Sequence, residues 1–295
     1  MNRVKAPLYT LIVVLISGFL VFGISGDNKV MHEGSSMYFP TAVDFAGESA
    51  PLKIIDVKER LDRELLINAN LHATTILIIK RANRFFPVIE PILQKYGVPD
   101  DFKYLAVIES GLANVVSPSG ASGFWQFMPD TAKEKGMEVN DFVDERYHLE
   151  KATESACQYL LKAKEKFGSW TMAAASYNRG MTGVAKKIEE QKVTDYYDLA
   201  LTEETSRYVF RILALKEIMK NKDKYGFSIY HSDLYQPIPT KKVEVDSTIN
   251  DLTGFAFSQG INYKILKLHN PWLRNSKLPN PTNKKYRIEI PLKGY

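Results

Sequence analysis

Cysteine is nearly absent from this sequence: Cys157 is the only one in 295 residues, which excludes an internal disulfide. There is also no CxxC pair and no HExxH motif, and the five histidines are scattered along the chain. The residue patterns that bind zinc or carry redox chemistry are therefore missing, and we predict no metal site and no cofactor. Cys157 itself lies within a helical pattern, which is typical of a small buried side chain.

Long apolar runs are equally scarce, with one exception at the N-terminus. Arg3 and Lys5 precede an apolar run from Leu8 to Ile24, and Ser25 follows it. This order is typical of a secretory signal. The run is also close to the short limit for a membrane span, about 17 residues. Residues 1–25 are thus a signal peptide or an uncleaved anchor, and the rest of the chain is expected in the periplasm or cell envelope, with membrane attachment as the second interpretation.

Charge is unevenly distributed rather than lacking. The formal net charge is +5, and residues 236–295 hold ten Lys or Arg against four Asp or Glu, a surplus of six. A basic tail on an exported chain favours an anionic polymer or surface as partner, and a merely solvated basic face is the alternative. No nucleic-acid partner is predicted.

The chain divides into four parts by pattern. After the N-terminal segment, residues 26–50 are polar and rich in Gly and Ser, which predicts a linker. Residues 51–228 carry helical periodicity without an alternating strand, which predicts an all-helical domain. Residues 236–295 carry the order strand, helix, helix, strand, which predicts a small separate module. The predicted fold class is therefore mainly α, with a small βααβ module at the end.

Glu109 is the strongest candidate for chemistry. Phe102, Leu105 and Ala106 precede it at helical spacing, so its carboxylate shares a face with residues that should enter the core. Gly111 should end this helix, which places Glu109 near the negative end of the helix dipole. Burial and this position both raise a carboxyl pKa. A carboxylic acid held protonated near neutral pH is what a general acid for glycosidic bonds requires.

Four local patterns occur in one order around this residue. They are ESGLANVVSPSGASGFWQFMP, DERYHLEKATESACQYL, AAASYNRG and ETSRYV. In this order the chain resembles the lytic transglycosylases with a lysozyme-like soluble transglycosylase domain, and most closely their membrane-bound transglycosylase D branch. The resemblance covers roughly residues 85–222. It implies a lysozyme-like fold for the helical domain and peptidoglycan glycan strands as the partner.

The resemblance also implies roles for single residues. Glu109 matches the catalytic acid and base of the family, and Glu204 in ETSRYV matches a supporting glutamate. The remaining matches are substrate-binding positions: Ser110, Gln126, Met128, Tyr177 and Asn178. From the residues alone, Trp125 and Phe127 are interpreted as core. The last motif begins an apolar helical stripe in which Tyr208 is interpreted as another packed side chain.

The resemblance implies cleavage without water. From Ser110 to Pro129 there is no Asp or Glu, whereas most glycoside hydrolases use two carboxylates. The family's reaction cleaves the β-1,4 bond between N-acetylmuramic acid and N-acetylglucosamine and leaves a 1,6-anhydromuramoyl end.

The C-terminal module resembles a degenerate LysM domain. INDLTGFAFSQGINYKILKLHNPW is similar to its two helices, and YRIEIP to its closing strand. The usual GDTL is replaced by residues 246–249, Asp-Ser-Thr-Ile. Glycan binding and a purely structural or tethering role both remain open for this module.

Two alternative functions remain open. One is a hydrolase of the goose-type lysozyme kind, which needs a second carboxylate supplied by Asp141, Asp144 or Glu204. The other is a non-catalytic cell-wall-binding protein, although such a protein has no need of a buried acid.

Overall fold

The structure, a computed structural model, describes residues 37–294. The predicted signal or anchor segment 1–25 and residues 26–36 of the predicted linker lie outside these residues. Within residues 37–294, helices dominate and the sheets have two strands each. The mainly α fold class is thus confirmed.

Eight α-helices build the larger, helical part of the described chain. They are α1 (Ile55–Asn70), α2 (His72–Tyr96), α3 (Lys103–Ser110), α4 (Pro129–Glu134), α5 (Leu149–Phe167), α6 (Trp170–Arg179), α7 (Met181–Gln191) and α8 (Glu203–Lys220). α1 packs on α8, α5 packs on both α2 and α6, and α6 and α3 each contact α8. Alanines line the close contacts of α5 and α6, so these helices can approach one another closely.

The short helix α3 is held by its apolar face. Leu105 and Ala106 are fully buried, and so is Phe102 in the 3-10 turn that leads into the helix. Gly111 ends α3 in the left-handed conformation with φ 58°, a region that favours glycine. The helix therefore ends at Ser110, and Glu109 lies in its last turn.

Residues 37–50 depart from the predicted linker, because they pack on the helical domain. A two-residue hairpin, β1 (Asp44–Phe45) and β2 (Glu48–Ser49), lies in this segment. The Phe45 ring is fully buried and packs edge-on against Phe102, with 4.9 Å between ring centroids. Strands this short leave no alternating pattern in a sequence, which is why the segment resembled a linker.

The C-terminal module has the predicted element order. It comprises β3 (Thr240–Val245), α9 (Leu252–Ser258), α10 (Tyr263–His269) and β4 (Tyr286–Pro291). β3 and β4 pair antiparallel. The side chains of Asp251 and Asn262 accept hydrogen bonds from the first turns of α9 and α10, so both helices begin at sequence-encoded caps.

The segment between the helical domain and the module is tied to α2. The backbone amide of Tyr235 donates to the Lys80 carbonyl at 3.2 Å, and Arg84 Nε donates to the Gln236 carbonyl at 3.0 Å. Residues 37–294 belong to one compact unit. The predicted domain boundaries at residues 228 and 236 stay predictions.

In the part of the chain that the structure describes, every helix is too short or too polar to cross a membrane.

Candidate active site

The Glu109 carboxyl lies deep between α3 and α8. Burial raises its pKa from 4.5 to about 7, and the nearby charge of Glu204 adds to this effect. A hydrogen bond from Tyr208 and the charge of Arg211 act in the opposite direction without cancelling it. The residue nevertheless keeps partial exposure. Glu109 is thus a carboxylic acid that keeps a substantial protonated fraction near neutral pH and is partly exposed, two properties that a general acid requires.

Tyr208 is a residue of the candidate site that sequence reasoning missed. Its side chain is buried in α8, and its hydroxyl donates a hydrogen bond to Glu109 Oε1. The sequence placed it in an apolar stripe, which is correct for the ring but ignores the hydroxyl. A buried tyrosine hydroxyl needs a partner, and that requirement was the available signal. Because Tyr208 occupies Oε1, the acid's proton belongs on Oε2.

Two arginines hold the end of α3. Arg211 donates to the Ile108 carbonyl at 3.1 Å, and Arg81 donates to the Gly111 carbonyl at 3.0 Å. Carbonyl groups at a helix C-terminus lack partners within the helix, and cations stabilise that end of the dipole. The two contacts therefore fix the backbone on both sides of Glu109.

The Ser110 side chain contacts the backbone of its own helix and of the loop that follows. Its hydroxyl donates to the Phe124 carbonyl at 2.9 Å and also lies 3.1 Å from the Ala106 carbonyl. Ser110 therefore links the end of α3 to the 115–128 loop. The predicted contact of Ser110 with substrate stays a prediction.

The 115–128 loop is a compact, hydrogen-bonded structure rather than a free connection. Ser122 bridges to Val116 on one side and to Phe127 on the other. Gly123 has φ 81°, and a Cβ atom there would lie 2.0 Å from the Arg146 carbonyl oxygen. Only glycine fits at this position, because the loop passes directly against the backbone of residue 146.

Gln126 lies at a strained turn of this loop. Its φ is +49°, a left-handed value for a residue with a side chain. The side-chain amide donates to the Gly123 carbonyl at 2.7 Å and to the Val115 carbonyl at 3.1 Å. The amide oxygen remains available as an acceptor. Met128, two residues on, is 42% exposed, which leaves its thioether accessible to a ligand.

The aromatic residues of the loop are core, as predicted. Trp125 is fully buried and Phe127 is 4% exposed. The indole Nε1 of Trp125 donates to the Thr153 hydroxyl at 2.9 Å, which fixes the loop to α5. The two rings therefore anchor the loop in the core. Gln126 and Met128 alternate with Trp125 and Phe127 along the sequence.

Tyr177 and Asn178 lie at the end of α6. The Tyr177 hydroxyl donates to the Trp125 carbonyl at 2.8 Å, and its ring packs against Phe127. Burial raises the Tyr177 pKa well above 10, and the charge of Glu109 contributes to the shift, so the two residues share one environment. The phenol is thus a neutral donor close to the acid.

Asn178 is held in a fixed orientation by the start of α8. Its Nδ2 donates to Glu204 Oε1 at 2.9 Å, and its Oδ1 accepts from the Thr205 hydroxyl at 2.7 Å. Glu204 therefore touches Asn178 and electrostatically affects Glu109. A supporting role for Glu204 agrees with these contacts.

The three candidates for a second carboxylate differ sharply. Asp144 is buried and forms a two-point ion pair with Arg146, with N–O distances of 2.7 and 2.9 Å. Its oxygens are occupied and it is not available for attack. Glu204 is the candidate whose charge raises the Glu109 pKa. Asp141 is exposed and does not contribute to that shift.

Across residues 37–294, no three His, Cys, Asp or Glu side chains come together in a group suited to a metal ion. The side chains that act on Glu109 are instead Tyr208, which donates a hydrogen bond to it, and the charged groups of Arg211 and Glu204, the latter bound to Asn178. Such a set can donate a proton, orient polar groups of a ligand and exclude bulk water from one side of the acid.

Two segments of the chain match models of known protein families. Residues 87–199 match the family described as the transglycosylase SLT domain. Residues 241–294 match the soluble lytic transglycosylase C-terminal LysM-like domain. Together these matches confirm the resemblance that the four motifs and the C-terminal pattern predicted.

The chain is also similar to curated proteins that are longer than it is. Over 228 residues the chain is 28% identical to the membrane-bound lytic murein transglycosylase D of Escherichia coli K12. The same values hold for the protein of that name from Escherichia coli O6:H1. The match covers 75% of this chain and 49% of each relative. The chain therefore spans about half the length of the curated relatives it matches.

Proposed function

We propose that this chain, which carries a transglycosylase SLT domain and a LysM-like domain, is a peptidoglycan lytic transglycosylase that remodels the cell wall. The observation that carries the proposal is the Glu109 carboxyl, whose pKa burial raises to about 7. A non-catalytic wall-binding protein gains nothing from holding an acid protonated, since ionisation is penalised there at a cost in stability.

In the proposed first step, Glu109 Oε2 gives its proton to the oxygen between N-acetylmuramic acid and N-acetylglucosamine. The bond from that oxygen to muramic C1 breaks, and the leaving sugar departs with a free 4-hydroxyl. The carbonyl oxygen of the muramic N-acetyl group then bonds to C1 and takes up the positive charge. Tyr208 keeps its hydrogen bond to Oε1, which stabilises the carboxylate that has just formed.

In the proposed second step, the Glu109 carboxylate takes the proton from the muramic C6 hydroxyl. The C6 oxygen attacks C1, the bond from C1 to the N-acetyl oxygen breaks, and a 1,6-anhydro ring results. Glu109 ends protonated, ready for the next cycle, and no water is consumed. Gln126, Met128, Tyr177 and Asn178 would bind the glycan and its N-acetyl groups in this scheme.

Mass spectrometry of muropeptides released from purified sacculi tests the proposal. The protein should release products with 1,6-anhydro ends, lighter by one water than hydrolytic products. Glu109→Gln should reduce release by at least about 100-fold, because the amide cannot donate a proton of the required acidity. Unchanged release by Glu109→Gln would overturn the proposal, and no release by the protein itself would favour a binding role.

Glu204→Gln separates transglycosylation from hydrolysis. The contact of Glu204 with Asn178 and its effect on Glu109 make it the candidate second carboxylate for a hydrolase. In the proposed mechanism this variant still forms anhydro ends, at a lower rate because Asn178 is less well oriented. Reducing muramic acid ends that disappear in Glu204→Gln would instead identify a goose-type hydrolase.

For the cellular location, we propose the cell envelope, with residues 1–25 as a signal peptide or membrane anchor. The word "membrane-bound" in the names of the two relatives supports an envelope location. Determining the N-terminal residue of the protein recovered from membranes would distinguish a cleaved signal from an anchor.

A further inference from the structure

Residues 142–146 connect the LysM-like module to the 115–128 loop. On the module side, Val143 forms a β-bridge with Leu273. The Asp144 amide donates to the Trp272 carbonyl at 2.9 Å, and the Arg274 amide donates to the Phe142 carbonyl at 2.7 Å. The backbone of this segment is thus paired with the module by the same contacts that join neighbouring strands.

The same segment holds the loop through one guanidinium. Arg146 Nη1 donates to the Gly120 carbonyl at 2.9 Å and to the Phe127 carbonyl at 3.2 Å. These two carbonyls lie on either side of Gln126 in the chain. The close passage of Gly123 over the Arg146 carbonyl leaves the loop no room to shift toward this segment.

Asp144 joins the two sides. Its backbone pairs with the module, and its carboxylate accepts from Arg146 Nε at 2.9 Å and from Nη2 at 2.7 Å. Asp144 is 6% exposed and Arg146 is 8% exposed. A buried two-point pair fixes the plane of the guanidinium, and such pairs contribute to conformational specificity more than to stability.

Further contacts hold the module in place beside this segment. Lys284 forms ion pairs with Glu138 at 2.6 Å and Glu145 at 2.9 Å, and the Tyr286 hydroxyl donates to Glu138 at 2.9 Å. Lys284 is one of the basic residues that made the tail a candidate for binding an anionic polymer. In the folded protein its ammonium is already paired with the helical domain.

We propose that the LysM-like module serves as a positioning element for the catalytic domain, holding the 115–128 loop through Asp144 and Arg146. Arg146 is then a positioning residue: it acts on the glycan through Gln126 and Met128, which the loop carries. That the loop binds glycan rests on the proposed function. The mechanical coupling of the module to the loop does not depend on the proposed function.

Hydrogen exchange measured by mass spectrometry tests the coupling in the purified protein without reference to activity. Lys284→Ala removes the pairs with Glu138 and Glu145. Lys285→Ala is the matched control, because Lys285 pairs at 2.9 Å with Glu244 inside the module. We expect amides of residues 117–127 to exchange about threefold faster or more in Lys284→Ala, and at the unchanged rate in Lys285→Ala.

Arg146→Lys tests the loop side of the same connection. Lysine keeps the charge but cannot form the two-point pair with Asp144 while also reaching both loop carbonyls. Faster exchange over residues 117–127 in Arg146→Lys but not in Lys284→Ala would overturn the coupling to the module. Unchanged exchange in both variants would overturn the role of Arg146 as well.

Kinetics on sacculus fragments provide the second measurement. If Arg146→Lys or Lys284→Ala displaces the loop, the KM of that variant should be about threefold higher or more than that of the unaltered protein. The pH dependence governed by Glu109 should stay unchanged. An unchanged KM alongside faster exchange would overturn the assignment of Arg146 as a positioning residue for substrate. Absence of anhydro products from the unaltered protein would count against the proposed function alone, since the exchange result does not depend on it.

Discussion

At the scale of single residues, the candidate site disfavours the ionised form of one carboxyl group. Burial is the main cause of the raised Glu109 pKa, and Tyr208 limits the shift by donating to Oε1. The acid is therefore tuned by two opposing contributions. Changing either one should move the pH range over which Glu109 is protonated.

We expect kcat/KM to fall as the pH rises through about 7, because Glu109 then loses the proton it must donate. Tyr208→Phe removes the hydrogen bond that lowers the Glu109 pKa, so this basic limb should move to higher pH. Rates across pH 5 to 9, compared with Tyr197→Phe as a control on a half-buried tyrosine whose hydroxyl does not contact Glu109, would check this. A limb that stays in place in Tyr208→Phe would contradict it.

The same raised pKa makes a prediction for stability. The pKa of this carboxyl is higher in the folded state than in the unfolded state. Its contribution to folding stability is therefore fully present at pH values below the unfolded-state pKa. That contribution is lost as the pH rises through the folded-state pKa. The shift from 4.5 to about 7 corresponds to about 3 kcal/mol. The free energy of unfolding of Glu109→Gln should therefore rise relative to that of the unaltered protein as the pH increases from 4 to 8.5. Urea unfolding would measure this difference. A pH-independent difference would be inconsistent with the raised pKa.

Sequence reasoning located Glu109 but not the partner that tunes it. Spacing along one helix is enough to place a carboxylate on an apolar face, and Gly111 marks the helix end. Tyr208 lies 99 residues further along the chain, and its contact depends on how α8 packs against α3. A residue's neighbours across a helix interface follow from the tertiary packing, which local periodicity does not specify.

At the scale of elements, the hairpin β1–β2 shapes the start of α6. Glu48 accepts from the backbone amides of Trp170 and Thr171, at 2.7 and 2.8 Å, and from the hydroxyls of Ser169 and Thr171. Burial alone would raise the Glu48 pKa, but these hydrogen bonds outweigh it and lower the value to about 2. A carboxylate from a distant segment thus caps the helix that ends in Tyr177 and Asn178.

We expect Glu48→Gln to destabilise the protein by about 1.5–3 kcal/mol, because hydrogen bonds to a charged acceptor are lost at a helix N-terminus. The contribution should be present above pH 4.5 and disappear as the pH falls through about 2. Chemical unfolding at several pH values would measure it. Glu59→Gln, at an exposed position of α1, is the control and should change stability little; equal effects of the two substitutions would argue against the cap.

The long helices and the order of the C-terminal elements followed from periodicity, because amphipathic stripes and caps such as Asp251 are local signals. The hairpin did not, since two-residue strands have no detectable period. The pairing of residues 142–146 with the module also left no local signal. In both cases the stabilising contacts join segments that are far apart in the chain.

At the scale of the whole molecule, the helical domain and the module share a hydrophobic core. Val143 and Tyr147 from the helical domain pack in one cluster with Leu252, Leu266 and Ile288 of the module. Trp272 is 4% exposed and stacks between His148 and Tyr286, with centroid distances of 5.8 and 5.7 Å. The two parts are therefore expected to unfold together.

Differential scanning calorimetry should show a single unfolding transition for both parts. Trp272→Ala should lower its midpoint markedly, since truncating a buried tryptophan costs about 3–5 kcal/mol. Leu292→Ala, at a position that is 61% exposed in the same module, should leave the midpoint nearly unchanged. Two separate transitions in the unaltered protein would show that the shared core does not couple the parts.

The tight passage of Gly123 against Arg146 determines how the proposed activity could be engineered. A library that randomises the whole 115–128 loop would consist largely of misfolded members, because any side chain at position 123 collides with a backbone oxygen. Val116 and Met128 are 60% and 42% exposed and tolerate variation without disturbing the core. Selection for altered glycan preference should therefore vary these two positions and keep glycine at 123.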